Sequence, residues 1–213
     1  MKKLFVLAFM ALSLTAMAQH VTPLNIQLAE ADLTALRAQY QSEPIMYRAA
    51  LEALVKDLDK NAAELKSARN QLKVEQAHAK EMENSLKEAN KMASSLRSLY
   101  AKEESEIKGM QQTVQKQQQT LSKQVELNQE TRENYVAFLE KQQKELNYSL
   151  REVADRQRAI SDLEASITAS NTNLQYYVQE VNQKNADLTA LENQHKERVA
   201  LVKAEQKAAK SMQ

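Results

Sequence analysis

The sequence has no cysteine and no tryptophan, and its 213 residues include only one glycine and two prolines. Without cysteine, no disulfide can brace the fold and no lipid can be attached through a lipobox cysteine. With so little glycine and proline, hairpin-rich β architecture and glycine-rich phosphate loops are excluded. Aromatic residues, at 5%, are too few for a thick core, so the composition indicates a thin apolar packing surface.

The chain is instead dominated by alanine, leucine, glutamate, lysine, glutamine and arginine, the residues that lose least on entering a helix. Charged residues make up 27%, with both signs interspersed and a net charge of +1. That balance leaves no basic footprint for nucleic acid and is typical of a solvated helix surface. The sequence therefore predicts an all-α, elongated coiled coil.

The first 18 residues have the pattern of a secretory signal peptide. Lys2 and Lys3 form a basic start, an apolar stretch follows, and Ala16 and Ala18 stand at the two recognition positions of a signal peptidase site. The apolar stretch is shorter than the roughly 20 residues that span a bilayer. We expect cleavage before Gln19, export to the periplasm or outside of a bacterium, and no membrane span in the mature chain.

Residues 19–43 are predicted to be a lead followed by a short amphipathic helix. Ile26, Leu33 and Tyr40 are spaced by seven, which predicts a helix over residues 25–41. Pro44 disfavours helical geometry just before it but suits the first turn of a new helix, so we expect a break at residues 41–43.

From Leu51 onward, apolar residues recur with the seven-residue period of a coiled coil, and residues 44–210 are predicted to be helical. The period changes phase near residues 121–139, which is a stutter. We call the apolar residues on this stripe the seam residues and expect them to bind a partner helix. They are Leu51, Leu54, Leu58, Leu65, Leu72, Met82, Leu86, Leu96, Tyr100, Ile107, Met110, Val114, Leu121, Leu139, Leu146, Val153, Ile160, Ile167, Leu174, Val181, Leu188 and Val202.

Gly109 is the natural place to look for a turn, since it is the only glycine. The period persists through it, and one helical glycine costs only about 1 kcal/mol relative to alanine. We therefore favour one continuous helix, a rod, with a hairpin as the alternative. The polar stretch at residues 166–173 is the next candidate for a bend.

Two Glu-x-x-His motifs are the only candidates for chemistry, Glu75/His78 and Glu192/His195. Paired motifs of this kind ligate metals in di-iron helical bundles. On a rod they are far apart, so we interpret them as one polar residue on the seam and one solvated histidine. We predict no catalytic residue, no metal and no cofactor.

The mature chain resembles exported bacterial coiled-coil proteins as a class. It is also similar to the Skp/OmpH periplasmic chaperones, which combine an export signal with long helical arms. That family has a β-stranded assembly core formed from both chain ends, and neither end of this sequence has alternating Val/Ile/Thr strands. We therefore transfer nothing from that family to this chain.

The predicted function is that of an exported structural spacer, scaffold or adaptor in the cell envelope. A lone helix cannot leave so long an apolar stripe exposed, so we expect a homo-oligomer, most simply a dimer, with an envelope protein as a further partner. The basic C-terminus, residues 195–213, is a candidate for peripheral contact with an anionic surface. The alternative function is a periplasmic holdase chaperone that grips unfolded clients with helical arms.

Overall fold

The computed structural model describes residues 20–123 and 129–211, and over these ranges the chain has three helices and no strand. Helix α1 is Leu33–Gln39, α2 is Pro44–Lys123 and α3 is Gln129–Lys210. The all-α fold with a short N-terminal helix is confirmed, and so is the start of the long helical region at Pro44. The predicted signal peptide lies outside the described residues. None of the described helices has a stretch long and apolar enough to cross a bilayer.

The described chain forms two compact units, and each contains part of both long helices. We call residues 83–123 and 129–173 the hairpin unit, and residues 20–82 and 174–211 the strapped unit. In the hairpin unit Arg97 pairs with Glu164, and Glu103 pairs with Arg156. In the strapped unit Arg69 pairs with Glu192 in the same opposed order as the Leu51–Ala209 packing. The two long helices are therefore antiparallel within each unit.

The preference for one continuous helix is half right. Helix α2 does run through Gly109, which has no positive φ. The rod is nevertheless wrong, because α2 ends at Lys123, α3 begins at Gln129, and the second helix returns along the first. The reversal falls within the predicted stutter and not at residues 108–120 or 166–173. A single chain supplies both halves of the seam at high effective concentration, so the halves bury each other.

In the hairpin unit most seam residues are buried between α2 and α3. Leu96, Tyr100 and Leu121 are half-buried. Met110 is 49% exposed, so its assignment to the seam is wrong. It lies on the same row of α2 as Glu103 and Gln117, and these polar neighbours keep the row accessible to water. The buried seam residues of this unit are Leu86, Ile107, Val114, Leu139, Leu146, Val153, Ile160 and Ile167.

In the strapped unit the seam is buried more completely. The side chains with the lowest exposure in the described chain all lie here: Leu51, Leu72, Leu188 and Val202. Leu54 is half-buried. The other seam residues of the unit are buried as well, namely Leu58, Leu65, Met82, Leu174 and Val181.

The N-terminal helix is shorter than the predicted span of residues 25–41. It begins only at Leu33, after Asp32 caps it by accepting a hydrogen bond from the Ala35 N–H at 3.0 Å. Residues 20–32, which we call the strap, are non-helical. The strap contains an alternation that favours extended chain: the apolar Leu24, Ile26 and Leu28 are half-buried, and the polar residues between them are exposed. The spacing of seven was the weaker of the two patterns.

Candidate functional site

The strap lies in a groove of the strapped unit, where the buried Asn61 of α2 holds its backbone. The Asn61 Oδ1 accepts the Ala29 N–H at 2.7 Å, and the Asn61 Nδ2 donates to the Gln27 carbonyl at 2.9 Å. Asn61 is only 6% exposed although it stands on the seam. A buried polar side chain needs its hydrogen bonds satisfied, and the strap backbone satisfies both ends of this amide.

Further side chains from both long helices bind the strap backbone. Arg198 of α3 donates to the Ala29 carbonyl at 2.7 Å. At the start of the strap, the Thr22 N–H donates to a Glu75 carboxylate oxygen at 3.2 Å, and the Val21 N–H donates to Glu180 at 3.4 Å. These contacts recognise main-chain atoms, so they place few demands on the side chains of the bound segment.

The contacts also show that the strap is stretched. Between Thr22 and Ala29 the partner on α2 changes from Glu75 to Asn61. Fourteen helical residues rise about 21 Å, and seven strap residues cover that length at about 3 Å each, close to the extended limit. The strap therefore runs antiparallel to α2 as a strand-like segment with one apolar and one polar edge.

The strap does not fill its groove. A solvent-open cavity of about 530 Å³ lies along it. Its walls come from the strap and from α2: Asn25, Gln27, Ala29, Asp57, Lys60, Asn61 and Glu64. None of the residues 20–40 is fully buried. Side chains larger than those of the strap therefore have room on this side of the groove.

A buried ion pair joins the two long helices beside the strap. The Lys184 Nζ lies 2.7 and 2.9 Å from the two Glu75 carboxylate oxygens, and the side chains are 4% and 13% exposed. Glu75 therefore holds both the helix pair and the first strap residues. Taking charges out of water is costly unless both are paired and hydrogen-bonded, so a shifted register of α2 against α3 would leave a charge unpaired.

Arg69 makes a second polar link across the unit. Its guanidinium binds the Glu192 carboxylate through two nitrogens, at 3.0 and 2.7 Å, and also donates to Asn185 at 2.7 Å and Thr189 at 3.2 Å. The hydrogen bonds from Arg69 lower the pKa of Glu192 below its usual value. Two-pronged arginine–carboxylate contacts are directional, so this link also fixes the helix register.

A third polar cluster closes the end of the strapped unit. The Tyr47 hydroxyl donates to Glu205 at 2.5 Å, and Arg37 of α1 donates to the same carboxylate oxygen at 2.6 Å. The Tyr47 hydrogen bond, followed by that of Arg37, lowers the pKa of Glu205, while burial and then Glu205 raise the pKa of Tyr47. Beneath the cluster, Leu33, Leu36 and Tyr40 pack on a small core. That core consists of Tyr47, Leu51 and Ala209.

The fold brings both Glu-x-x-His motifs into the strapped unit, but it does not combine them into a metal site. Each glutamate is taken by a cation of the opposite helix, Glu75 by Lys184 and Glu192 by Arg69. His78 stacks edge-on against Tyr177, with ring centroids 6.1 Å apart. Among the described residues, no group of three or more potential ligands is placed to hold a metal ion.

The hairpin unit holds a different set of polar contacts, nearer the surface. Arg156 binds Glu103 at 2.6 Å and lies over the Tyr100 ring at 5.8 Å. Arg97 pairs with Glu164 beside an open cavity of about 430 Å³. Several large apolar side chains of this unit are exposed: Leu99, Met110, Val136, Phe138, Tyr148 and Leu150.

The basic C-terminal stretch turns part of its apolar face inward. Val202 is fully buried, and Val199 is half-buried. Leu201 is 57% exposed among the outward lysines. The stretch therefore serves as the closing end of α3, and peripheral contact with an anionic surface stays a prediction.

No family model, curated protein or solved structure matches this chain. The functional residues that sequence reasoning missed are those around the strap: Asn61, Glu75, Glu180 and Arg198. One signal for them was present, because a lone asparagine on an otherwise apolar row commonly has a specific partner. The alternation of Leu24, Ile26 and Leu28 was the other.

Proposed function

We propose that the chain is a non-enzymatic, exported spacer or adaptor of the cell envelope that acts through helix–helix contacts. The observation that supports this most is the antiparallel pairing of α2 and α3, with a buried seam and with Glu75–Lys184 and Arg69–Glu192 fixing the register. Such a pair is a stiff body with a mixed-charge surface. Its most buried acidic groups are bound to cations, so they are poorly placed for proton transfer.

The pairing changes the basis for the predicted dimer. The seam was expected to need a second chain, and within one chain α3 now covers it. Homodimerisation therefore stays a prediction, and it requires the outer surfaces of the helices. An adaptor role requires the same surfaces to bind an envelope protein.

The holdase alternative is supported by the exposed apolar side chains of the hairpin unit. Phe138 and Tyr148 are 47% and 66% exposed. Single exposed apolar residues are normal on protein surfaces, but adaptable contacts with unfolded clients require such residues. The two functions predict different partners at the same positions, which makes them separable.

The test is site-specific photocrosslinking in the native cell. A photoreactive phenylalanine analogue replaces Phe138 in one strain and the exposed Lys141 on the same helix in another. A spacer or adaptor gives one discrete adduct at Phe138, whereas a holdase gives a smear of many sizes. Equal adduct patterns at Phe138 and Lys141, or no adduct at all, would contradict both functions.

Export is tested separately by the mass of the protein isolated from its native compartment. We expect a chain that begins at Gln19. An intact Met1 would contradict the export part of the proposal and leave the helix pairing untouched.

A further inference from the structure

We propose that the groove of the strapped unit is a peptide-binding site and that the strap is its resident, displaceable occupant. The partner it fits is an extended segment of another protein, with apolar side chains at alternate positions and a basic residue at its N-terminal end. This inference does not depend on export or on the spacer function, because it rests only on the contacts of residues 20–82 and 174–211.

The first support is the kind of recognition. Asn61 binds one N–H and one carbonyl of the strap, as a neighbouring strand does, and Arg198 binds the Ala29 carbonyl. These groups read backbone atoms that every polypeptide carries. Peptide recognition by strand addition works in this way, with main-chain bonds giving affinity and pockets for alternate side chains giving specificity.

The second support is the pattern of the strap itself. Leu24, Ile26 and Leu28 point into the unit to partial burial, while Asn25 and Gln27 are exposed. An occupant with apolar residues at the same three positions makes the same contacts. His20 lies 3.9 Å from Glu180, a carboxylate that also accepts the Val21 N–H. A lysine or arginine at the place of His20 would be better matched to that carboxylate.

The third support is the loose fit. The cavity of about 530 Å³ beside Asn25, Gln27 and Ala29 leaves room for larger side chains. Since no strap residue is fully buried, the strap contributes less apolar burial than a seam segment of equal length. A segment that is attached to its own chain can be held by weak contacts, because its effective concentration is high.

The strap is also built so that it can leave without opening the helix pair. The seam residues Leu58, Leu65 and Leu72 are buried against α3. The Glu75–Lys184 pair joins α2 to α3 directly. Only the two Asn61 bonds, three further backbone bonds and the half-buried face of the strap are lost when it leaves.

The test uses a fluorescent peptide with the sequence of residues 20–31, HVTPLNIQLAEA, added to the full chain. The control peptide has the Leu24–Asn25 and Ile26–Gln27 pairs exchanged, so its composition is the same and its alternation is lost. We expect anisotropy to rise with the first peptide and not with the second.

Two chain variants locate the binding. A variant with Leu24→Ser, Ile26→Ser and Leu28→Ser weakens the resident strap, so apparent affinity for the peptide should rise by about tenfold as the open fraction grows. Asn61→Leu removes both backbone contacts while leaving an apolar residue on the seam, so peptide binding should be lost. Far-UV circular dichroism checks that both variants keep their helicity.

Hydrogen exchange on the unmodified chain gives an independent measurement. The amides of Val21, Thr22 and Ala29 should exchange much faster than those of Leu72 and Leu188. If the strap amides are protected as strongly as the seam amides, the strap is a fixed part of the fold and the proposal is wrong.

The remaining outcomes also decide. Equal binding of the two peptides, or no gain in the triple-serine variant, would contradict a groove that reads alternation. Dimers that form with the natural chain and disappear with the triple-serine variant would assign the groove to the strap of a second copy instead of another protein.

Discussion

The two units are built from the same pair of helices, but a third layer distinguishes them. In the strapped unit, α1 and the strap cover one side of the pair, and charged groups such as Lys184 are buried and bonded. In the hairpin unit, two helices alone face water, and the ion pairs lie near the surface. A two-helix seam can bury a row of leucines, but it needs further chain to shelter polar groups beside that row.

The largest expected effect comes from placing a charge on the seam of either unit. Leu65 is 4% exposed in the strapped unit and Ile160 is 7% exposed in the hairpin unit. Leu65→Asp and Ile160→Asp should each destabilise by several kcal/mol, because the carboxylate is buried without a partner. Thermal circular dichroism with hydrogen exchange would show which amides lose protection.

The matched controls for these two variants are Lys66→Asp and Ser161→Asp at the adjacent exposed positions. We expect both controls to stay within about 0.5 kcal/mol of the natural chain. A seam variant as mild as its control would contradict the assignment of that seam.

The second prediction compares one arginine from each unit. Arg69 and Glu192 are each 27% exposed, whereas Arg97 is 70% exposed. Arg69→Met should cost about 1–3 kcal/mol because it leaves a partly buried carboxylate with unmet hydrogen bonds. Arg97→Met should cost less than about 1 kcal/mol, as exposed ion pairs do. Urea denaturation of the two variants measures the difference, and equal costs would remove the energetic distinction between the units.

The third prediction concerns acid. The pKa values of Glu192 and Glu205 are lowered in the folded chain, by Arg69 and by Tyr47 with Arg37 respectively. A lowered pKa adds stability that is present above the unfolded value of about 4.3 and is lost as the pH falls through the folded value. The strapped unit should therefore loosen as the pH falls below about 4.3.

Glu192→Gln and Glu205→Gln should each make that loss of stability with acid shallower. Tyr47→Phe should do the same through Glu205, since the Tyr47 hydrogen bond is the main cause of the lowered pKa. Melting temperatures taken from neutral pH to pH 3 give the slope. Unchanged slopes in all three variants would show that these contacts do not carry the acid sensitivity.

The smallest effect is expected at Gly109. It lies in the middle of α2, and a Cβ built there meets nothing within 4 Å. Gly109→Ala should therefore stabilise by roughly 0.4–1 kcal/mol, through higher helix propensity and a more restricted unfolded chain. Ala101→Gly, at an exposed position of the same helix, should shift the melting temperature the opposite way. A fall on Gly109→Ala would contradict the helical backbone at this position.

Sequence periodicity predicted the helices and most of the seam because a row of leucines is buried whatever covers it. Leu72 and Leu188 are buried as expected, although by one chain and not two. Periodicity could not choose between a partner chain and a returning helix, since both bury the same row. The turn between Lys123 and Gln129 has neither glycine nor proline to signal it.

The strap contacts were beyond sequence reasoning for a different reason. Glu75, Glu180 and Arg198 look like ordinary surface charges on their helices, and only the antiparallel register brings them to one groove. Met110 failed in the opposite sense: its spacing is right, but spacing cannot report how wet its row is. Local pattern predicts an element, while contacts between distant elements depend on register.

The position of the strap at the start of the chain has a consequence for the order of events during synthesis. Its bonds reach residues 159 to 169 positions further on, such as Val21 with Glu180 and Ala29 with Arg198, whereas Glu103 and Arg156 are 53 apart. A ribosome delivers the strap first and its binding residues on α3 last. Contacts of long range in sequence form slowly because the loop must close first. The apolar edge of Leu24, Ile26 and Leu28 is therefore the earliest hydrophobic segment made after residue 20 and the last to find shelter, so a nascent chain carries it uncovered for most of its translation.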